Sequence, residues 1–317
     1  MLKNELISVV LKTIDGDFLT FSTVVNFSFK KDKYTPYTEL TMTVADTENI
    51  LDLKSVIYQI DVYINRAFVH SGLVDTSDCR REKGVSLITI RSRGFTSLLM
   101  NNQMTPGLHA KMSLTKLMTE YYEFPYTIKW EEDSAECNYI FVKEHRSMWD
   151  SVVNLGYKLY GTYPYIKGTN KIMLRPEDTL ARKTFTESEL IKIGTKTNTT
   201  GIISHLHMQD VDGNYGVYNL HNQNADELMI VRHKQIAFDR QYLNEPERAM
   251  QLTFSLASGG WKSRYITIKG YLPFDLNDRI SCGDFINDEK ICGVTVTGDR
   301  NGIISTYYVY DDDFTAN

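Results

Sequence analysis

A mainly β protein, two related antiparallel β-barrels with a small α+β unit between them, is predicted by three observations. Short alternating segments fill both ends of the chain, helical spacing is confined to the middle and one late stretch, and one strand-turn-strand order occurs twice. Composition agrees. Tyr is abundant with 20 residues and Pro scarce with seven, and Tyr, Thr, Val and Ile favour strands.

Residues 1–104 read as the first barrel. Leu6 to Leu11 leads into the turn Asp15-Gly16-Asp17, and Phe18 to Phe29 then alternates with a period near two. Glu39 to Val44 is the clearest half-buried strand, with Leu40, Met42 and Val44 on one face. Ile57 to Ile64 and Phe68 to Val74 flank the turn Asn65-Arg66, and Val85 to Ile90 closes the set. About six short strands at this spacing suggest a closed or nearly closed barrel.

Residues 105–178 change pattern and read as the small α+β domain. Ser113 is a helix N-cap, followed at helical spacing by Leu114, Leu117, Met118, Tyr121 and Tyr122. Ser147-Met148-Trp149-Asp150 forms a capping box with Asp in place of Glu, opening a helix through Val152, Val153, Leu155 and Leu159. Short strands are expected at Tyr126 to Trp130 and Tyr139 to Val142. A hairpin should run from Tyr163-Tyr165 to Ile172-Leu174 around Lys167-Gly168-Thr169-Asn170.

Residues 179–317 read as the second barrel, with one inserted helix near 244–259. Ile202 to Met208 and Tyr215 to Leu220 flank the hairpin turn Asp212-Gly213-Asn214. The helix is expected to take Asn244 as N-cap, Pro246 in its first turn and Gly259-Gly260 at its end. Strands follow at Ser263 to Gly270, Asp284 to Ile286, Lys290 to Thr297 and Ile303 to Tyr310.

The repeated order relates the two barrels. Ile64-Asn65-Arg66, Phe68 to Val74 around Gly72, a turn, and Gly84 to Ile90 are matched late in the chain. There the sequence runs Ile286-Asn287-Asp288, Lys290 to Val296 around Gly293, a turn, and Gly302 to Tyr308. A glycine in mid-strand is costly unless a bend or bulge is wanted, as at a barrel corner.

These residues carry a family resemblance. Phe68 to Asn102, ending in Arg93-Gly94-Phe95-Thr96-Ser97-Leu98-Leu99-Met100, resembles baseplate hub proteins of contractile phage tails. So do the α+β insertion, Gly270-Tyr271-Leu272-Pro273 and Asp278-Arg279-Ile280-Ser281-Cys282-Gly283-Asp284. The family comprises late control protein D, the T4-type hub and the hubs of defective-prophage and R-type bacteriocin particles. The likeness covers nearly the whole chain in domain order and spaced small motifs.

The resemblance implies two tube-like β-domains per chain, so that a homotrimer presents six quasi-equivalent barrels and adapts a three-fold spike to a six-fold tube. The partners it implies are the central spike protein, the inner tube protein or tube initiator, the tape-measure protein and baseplate wedge proteins. It also implies synthesis in the bacterial host cytoplasm and later residence in a released virion or bacteriocin-like particle. Some hubs or their spikes carry a lysozyme or peptidase. This chain is expected to leave no residues for one, and so to be no enzyme.

Several function classes are disfavoured by the residues themselves. Lys plus Arg total 35 against 40 Asp plus Glu, without the basic excess usual in sequence-specific nucleic-acid binders. No apolar run approaches the roughly 18 residues of a membrane span, so no stable membrane insertion is expected. Met1-Leu2-Lys3-Asn4-Glu5-Leu6 lacks a secretory h-region, which makes the sequons Asn26-Phe27-Ser28 and Asn198-Thr199-Thr200 idle. Cys79, Cys137, Cys282 and Cys292 form no CxxC pair, so neither a zinc site nor a disulfide framework is expected.

The remaining candidates have plain explanations. His205 and His207 share one face of a strand, with His221 and His233 not far along, but a metal would need a third ligand and an open position. Asp210, Asp212 and Asn214 around Gly213 suggest a calcium loop, yet no Glu closes a 12-residue loop and a turn suffices. Glu131-Glu132-Asp133 and Asp311-Asp312-Asp313 could supply paired carboxylates for glycoside cleavage, although adjacent solvated carboxylates seldom gain the raised pKa of an acid catalyst. Gly259-Gly260-Trp261-Lys262 follows a helix and precedes a strand, the wrong order for a phosphate loop. No catalytic, cofactor-binding or metal-ligating residue is therefore assigned. Two alternatives stay in view: a tail-associated peptidoglycan hydrolase, and a carbohydrate-binding adhesin using the tyrosines, which equally suit protein interfaces.

Overall fold

A computed structural model describes residues 6–82, 84–177 and 180–311. The chain opens with β1 (Ile7–Thr13), β2 (Phe18–Phe21), β3 (Val24–Asp32) and β4 (Glu39–Asp46). Then come β5 (Ile57–Ile64), β6 (Ala67–Glu82) and β7 (Val85–Gly94). Their pairings run in one open series from β3 to β2. β1 bonds to β2 and β5, β5 to β6, β6 to β7, β7 to β4 and β4 to β3. β2 runs into β3 through Ser22 and Thr23, whose carbonyl already accepts the Ala45 N–H. The alternation expected of β4 is present, with Leu40, Met42 and Val44 all in the core.

The middle of the chain contributes α1 (Leu98–Asn101), β8 (Gly107–Met112), α2 (Leu114–Tyr121) and β9 (Lys129–Trp130). It continues with β10 (Cys137–Val142), α3 (Met148–Tyr160), β11 (Tyr165–Lys167) and β12 (Lys171–Met173). Ser113 caps α2 by accepting the Lys116 N–H. At α3 the capping box is complete: Ser147 Oγ accepts the Asp150 N–H while Asp150 accepts the Ser147 N–H. Leu114, Leu117, Met148, Val152 and Leu155 pack with Ile140 and Ile172 into a core spanning Phe95 to Leu174. The strand expected over Tyr126 to Trp130 shortens to two residues, because β9 pairs only with Lys171 and Ile172 of β12.

The last part holds β13 (Arg182–Thr184), β14 (Leu190–Thr197), β15 (His205–Met208), β16 (Tyr218–His221), α4 (Gln223–Glu227) and β17 (His233–Ile236). It ends with α5 (Pro246–Ser258), β18 (Lys262–Lys269), β19 (Arg279–Cys282), β20 (Ile286–Lys290), β21 (Gly293–Asp299) and β22 (Gly302–Asp311). The expected cap of α5 shifts by one residue. Glu245 occupies the N-cap, its side chain accepting from the Arg248 guanidinium rather than from a helix backbone N–H, and Pro246 takes the first helical position.

Both ends of the chain share one sheet. Its order is β14-β18-β22-β21-β3-β4-β7-β6-β5-β1-β2, joined at β21 and β3, where Val296 lies opposite Phe29. Their hydrophobic core is likewise continuous from Ile7 to Val309. The repeated order appears in the hairpins β6–β7 and β21–β22. It stops at the strand before them: β5 pairs with β6, whereas β20 pairs with β19 in a separate three-stranded sheet.

A buried lysine ties the three parts together. Lys31 lies on the same face of β3 as Phe27 and Phe29 and is only 7% exposed. Its ammonium bonds to the Asp275 carboxylate and to the Gly168 carbonyl at 2.7 Å, and Asp275 also accepts the Gly168 N–H at 2.6 Å. Removing one member of such a pair strands the other charge, which outweighs the lost attraction. Lys31→Met is expected to cost about 3 kcal/mol in urea-unfolding free energy, and Lys31→Met with Asp275→Asn should recover part of it. Equal stabilities for wild type and Lys31→Met would refute the tie.

Candidate interaction surface

The histidines noted in sequence do converge. β15 is the centre of a three-stranded sheet, antiparallel to β16 and parallel to β17, and His205 lies directly opposite both His221 and His233. The His205 ring centroid is 4.4 Å from that of His221 and 4.3 Å from that of His233, with rings within 22° of parallel. His207 joins them, its Nε2 3.2 Å from His233 Nδ1. The opposite face of the sheet is apolar: Leu206 and Met208 pack on Met250 and Phe254 of α5.

Stacking is the wrong geometry for a metal. The ring nitrogens are engaged sideways, with Ser204 Oγ, Asn219 Oδ1, Asp226 and one another. Among the described residues no group of three or more His, Cys, Asp or Glu side chains is placed to hold a metal ion. Burial and the neighbouring imidazoles of His233 and His221 hold the His205 pKa below its ordinary value.

Several of the other polar candidates are occupied structurally, while Glu132 and Asp212 are exposed. Asp210 accepts the N–H groups of Asp212 and Asn214, closing the turn before β16. Glu131 accepts the Leu174 N–H and pairs with Arg175, while Asp133 accepts from the Ala135 N–H and the Tyr160 hydroxyl. Asp311 lies 3.8 Å from Lys262, and Asp312 and Asp313 fall outside the described residues. Gly259 and Gly260 follow α5, and Gly260 takes a left-handed φ of 67° on the way into β18. No disulfide joins Cys79, Cys137, Cys282 and Cys292 to one another. No described helix is long and apolar enough to cross a membrane.

Several tyrosines are internal rather than displayed. Tyr34 meets Tyr163 at 5.1 Å and stacks parallel to Tyr310 at 6.1 Å, so rings from three parts of the chain share one contact. A side chain on Gly259 would enter the Tyr34 ring. Tyr165, Tyr242 and Tyr307 are buried outright. These rings weld the chain to itself, and they leave a cleft of about 410 Å³ beside Tyr34, Tyr37 and Tyr310.

The strongest feature for contact with another molecule was missed in sequence. Among the described residues β14 pairs only with β18, so it ends the eleven-stranded sheet with one free edge. Ile191 and Ile193 on this strand are 55% and 50% exposed. An open edge bearing exposed apolar side chains is a template for pairing with another chain. Ile191 and Ile193 alternate with Lys192 and Gly194, but the run holds only these two apolar alternate positions and none of its residues is buried, so it carries little core signal.

No protein-family profile and no curated protein matches the sequence. Solved structures do match its fold. The 43 kDa tail protein of prophage MuSo2 from Shewanella oneidensis aligns with a TM-score of 0.71 and 13% identity, over 98% of this chain and 100% of that one. A tail protein from Neisseria meningitidis MC58 gives 0.68 at 12% identity, over 98% and 97%. A chain of the half-lidded Francisella PdpA-VgrG complex gives 0.57 at 12% identity, over all of this chain and 60% of that one. What is shared at these identities is the fold, and the resemblance read from the sequence stands at that level.

Proposed function

We propose that the chain is a non-enzymatic baseplate hub of a contractile tail or tail-like particle, forming a homotrimeric ring between a three-fold central spike and a six-fold inner tube. The observation that carries this is the fold, which matches two tail proteins over nearly the full length of both partners. The edge of β14, unpaired among the described residues and bearing the exposed Ile191 and Ile193, supports a chain built to associate. Residues 1–104 and 179–317 would supply two β-units per chain, with 105–178 as the insertion. Three copies would then offer six similar units. The spike, the tube protein or its initiator, the tape-measure protein and wedge proteins would be its neighbours. Synthesis would take place in the host cytoplasm, before release in the particle. The engagement of Glu131, Asp133 and Asp210 in turns and structural pairs favours a scaffold over a hydrolase.

Light scattering of the purified chain, alone and with the spike protein of the same particle, tests the proposal. The expected mass of the assembly is three times 36.5 kDa for this component. Ile193→Lys replaces an exposed apolar side chain on the β14 edge with a third lysine beside Lys192 and Lys196, and should weaken self-association at least about tenfold while leaving the fold intact, since added edge charge opposes strand pairing. A persistent monomer under both conditions, or clearing of cell walls on a zymogram, would overturn the hub.

A further inference from the structure

We propose that the sheet β16-β15-β17 is an acid-sensitive element that opens locally when its four-imidazole face takes up protons, ahead of the eleven-stranded sheet and the 95–174 core. The packing is the first argument. Side chains directly opposite on neighbouring strands are in contact, and like charges there destabilise the pair. His205 has an imidazole opposite on each side at 4.3 to 4.4 Å. Protonation of all three rings would set like charges at van der Waals distance across both strand pairs.

The hydrogen bonds point the same way. His207 Nε2 and His233 Nδ1 are 3.2 Å apart, which requires one donor and one acceptor. An imidazolium has two donors and no acceptor, so protonating both rings breaks this bond. Charged groups near the face offer little relief. From α4 comes the Asp226 carboxylate, 2.9 Å from His221 Nε2. β16 and β17 add only the neutral Asn219 and Gln235 at the level of His207. Lys234 lies opposite Leu206, on the other pleat, and the Arg232 guanidinium is turned to the Thr199 and Ile202 carbonyls. Among the described residues one carboxylate is therefore paired with the four rings.

Little holds the sheet against that repulsion. Its strands have four residues each, two of the three are edges, and its core is a small cluster around Leu206, Met208, Met250 and Phe254. The lowered pKa of His205 agrees in sign: the folded state prefers the neutral ring, so the stability is intact above the ordinary histidine pKa and declines as pH falls below it.

Amide hydrogen exchange of the full chain, corrected for intrinsic rates, tests this at about pH 7.5 and about pH 5.5, either side of the free histidine pKa. Peptides covering β15, β16 and β17 should lose protection at least about tenfold more than peptides of β4 and β7 on acidification. In His205→Asn with His233→Asn that excess should disappear, while the β4 and β7 peptides respond as in wild type. The wild-type protein is decisive by itself, because loss spread uniformly over all peptides, or no loss, overturns the proposal. Persistence of the excess in the double variant also overturns it.

Discussion

Gly72→Ala is expected to abolish cooperative folding, although it adds one methyl group. β6 serves two partners in succession, pairing first with β5 and then with β7, and at Gly72 both are present: Ile60 on one side, Gly94 on the other. A Cβ at Gly72 would sit 2.2 Å from the Arg93 carbonyl oxygen, 2.6 Å from its carbon and 2.9 Å from the Gly94 nitrogen. All three atoms are backbone, so no rotamer change can clear the space. Gly94 is itself pinned, donating its N–H to the Thr38 carbonyl at 2.8 Å. Separating the strands would break the ladder on both sides, at a cost above about 4 kcal/mol, a large part of the roughly 5–15 kcal/mol that holds a domain together. Urea unfolding followed by tryptophan fluorescence should show no native baseline. Gly213→Asn is the contrast: Gly213 has a φ of 87° with nothing within 4 Å, so Asn there should cost no more than about 1 kcal/mol. A wild-type midpoint for Gly72→Ala would mean that the strands do not cross as closely as described.

The sequence did flag Gly72, as a glycine in mid-strand, and what was legible elsewhere was also local. The alternation of Leu40, Met42 and Val44 and the Ser147-Asp150 box both involve residues within one turn or one strand of each other, and both stand in the structure. What stayed hidden depends on distant pairings. Lys31 reads as a solvated charge until Asp275, 244 positions on, is placed beside it. The joining of β3 to β21 has no local signature, since either strand would alternate alike at a sheet edge or in its middle. His205 and His207 were visible as a pair, but the face they form exists only because β16 returns antiparallel and β17 parallel. The tyrosines were abundant without an address: the same residue type is favoured in a core, a weld between segments and an interface with another chain, and composition separates none of these.

Acid is expected to weaken the whole fold through one residue that no motif or spacing singles out. His70 is fully buried on β6, its Nδ1 2.8 Å from Thr38 Oγ1 and its Nε2 2.9 Å from Ser92 Oγ, with the Phe29 ring edge-on at 6.3 Å. Burial lowers its pKa to about 3, and the Asp61 carboxylate only partly offsets this. In the unfolded chain the ring titrates near the free value, so between about pH 6.5 and about pH 3 the unfolded state binds a proton that the folded state refuses. The contribution is zero above that window. Within it, stability falls by about 1.4 kcal/mol per pH unit, toward a total of about 5 kcal/mol. The wild-type curve sums every group that changes its protonation on unfolding, so it does not isolate the effect. His70→Gln does. Glutamine keeps a donor and an acceptor for the two hydroxyls but cannot be protonated. It should cost stability at neutral pH through imperfect packing, and the gap to wild type should then narrow by about 1.4 kcal/mol for each pH unit of acidification below about pH 6.5. Urea-unfolding free energies of both proteins at intervals from about pH 7.5 to about pH 4.5 give the difference directly. A gap that stays constant across that range would show that the folded protein accepts the proton as readily as the unfolded chain. The two hydroxyls around the ring would then have replaced its lost hydration.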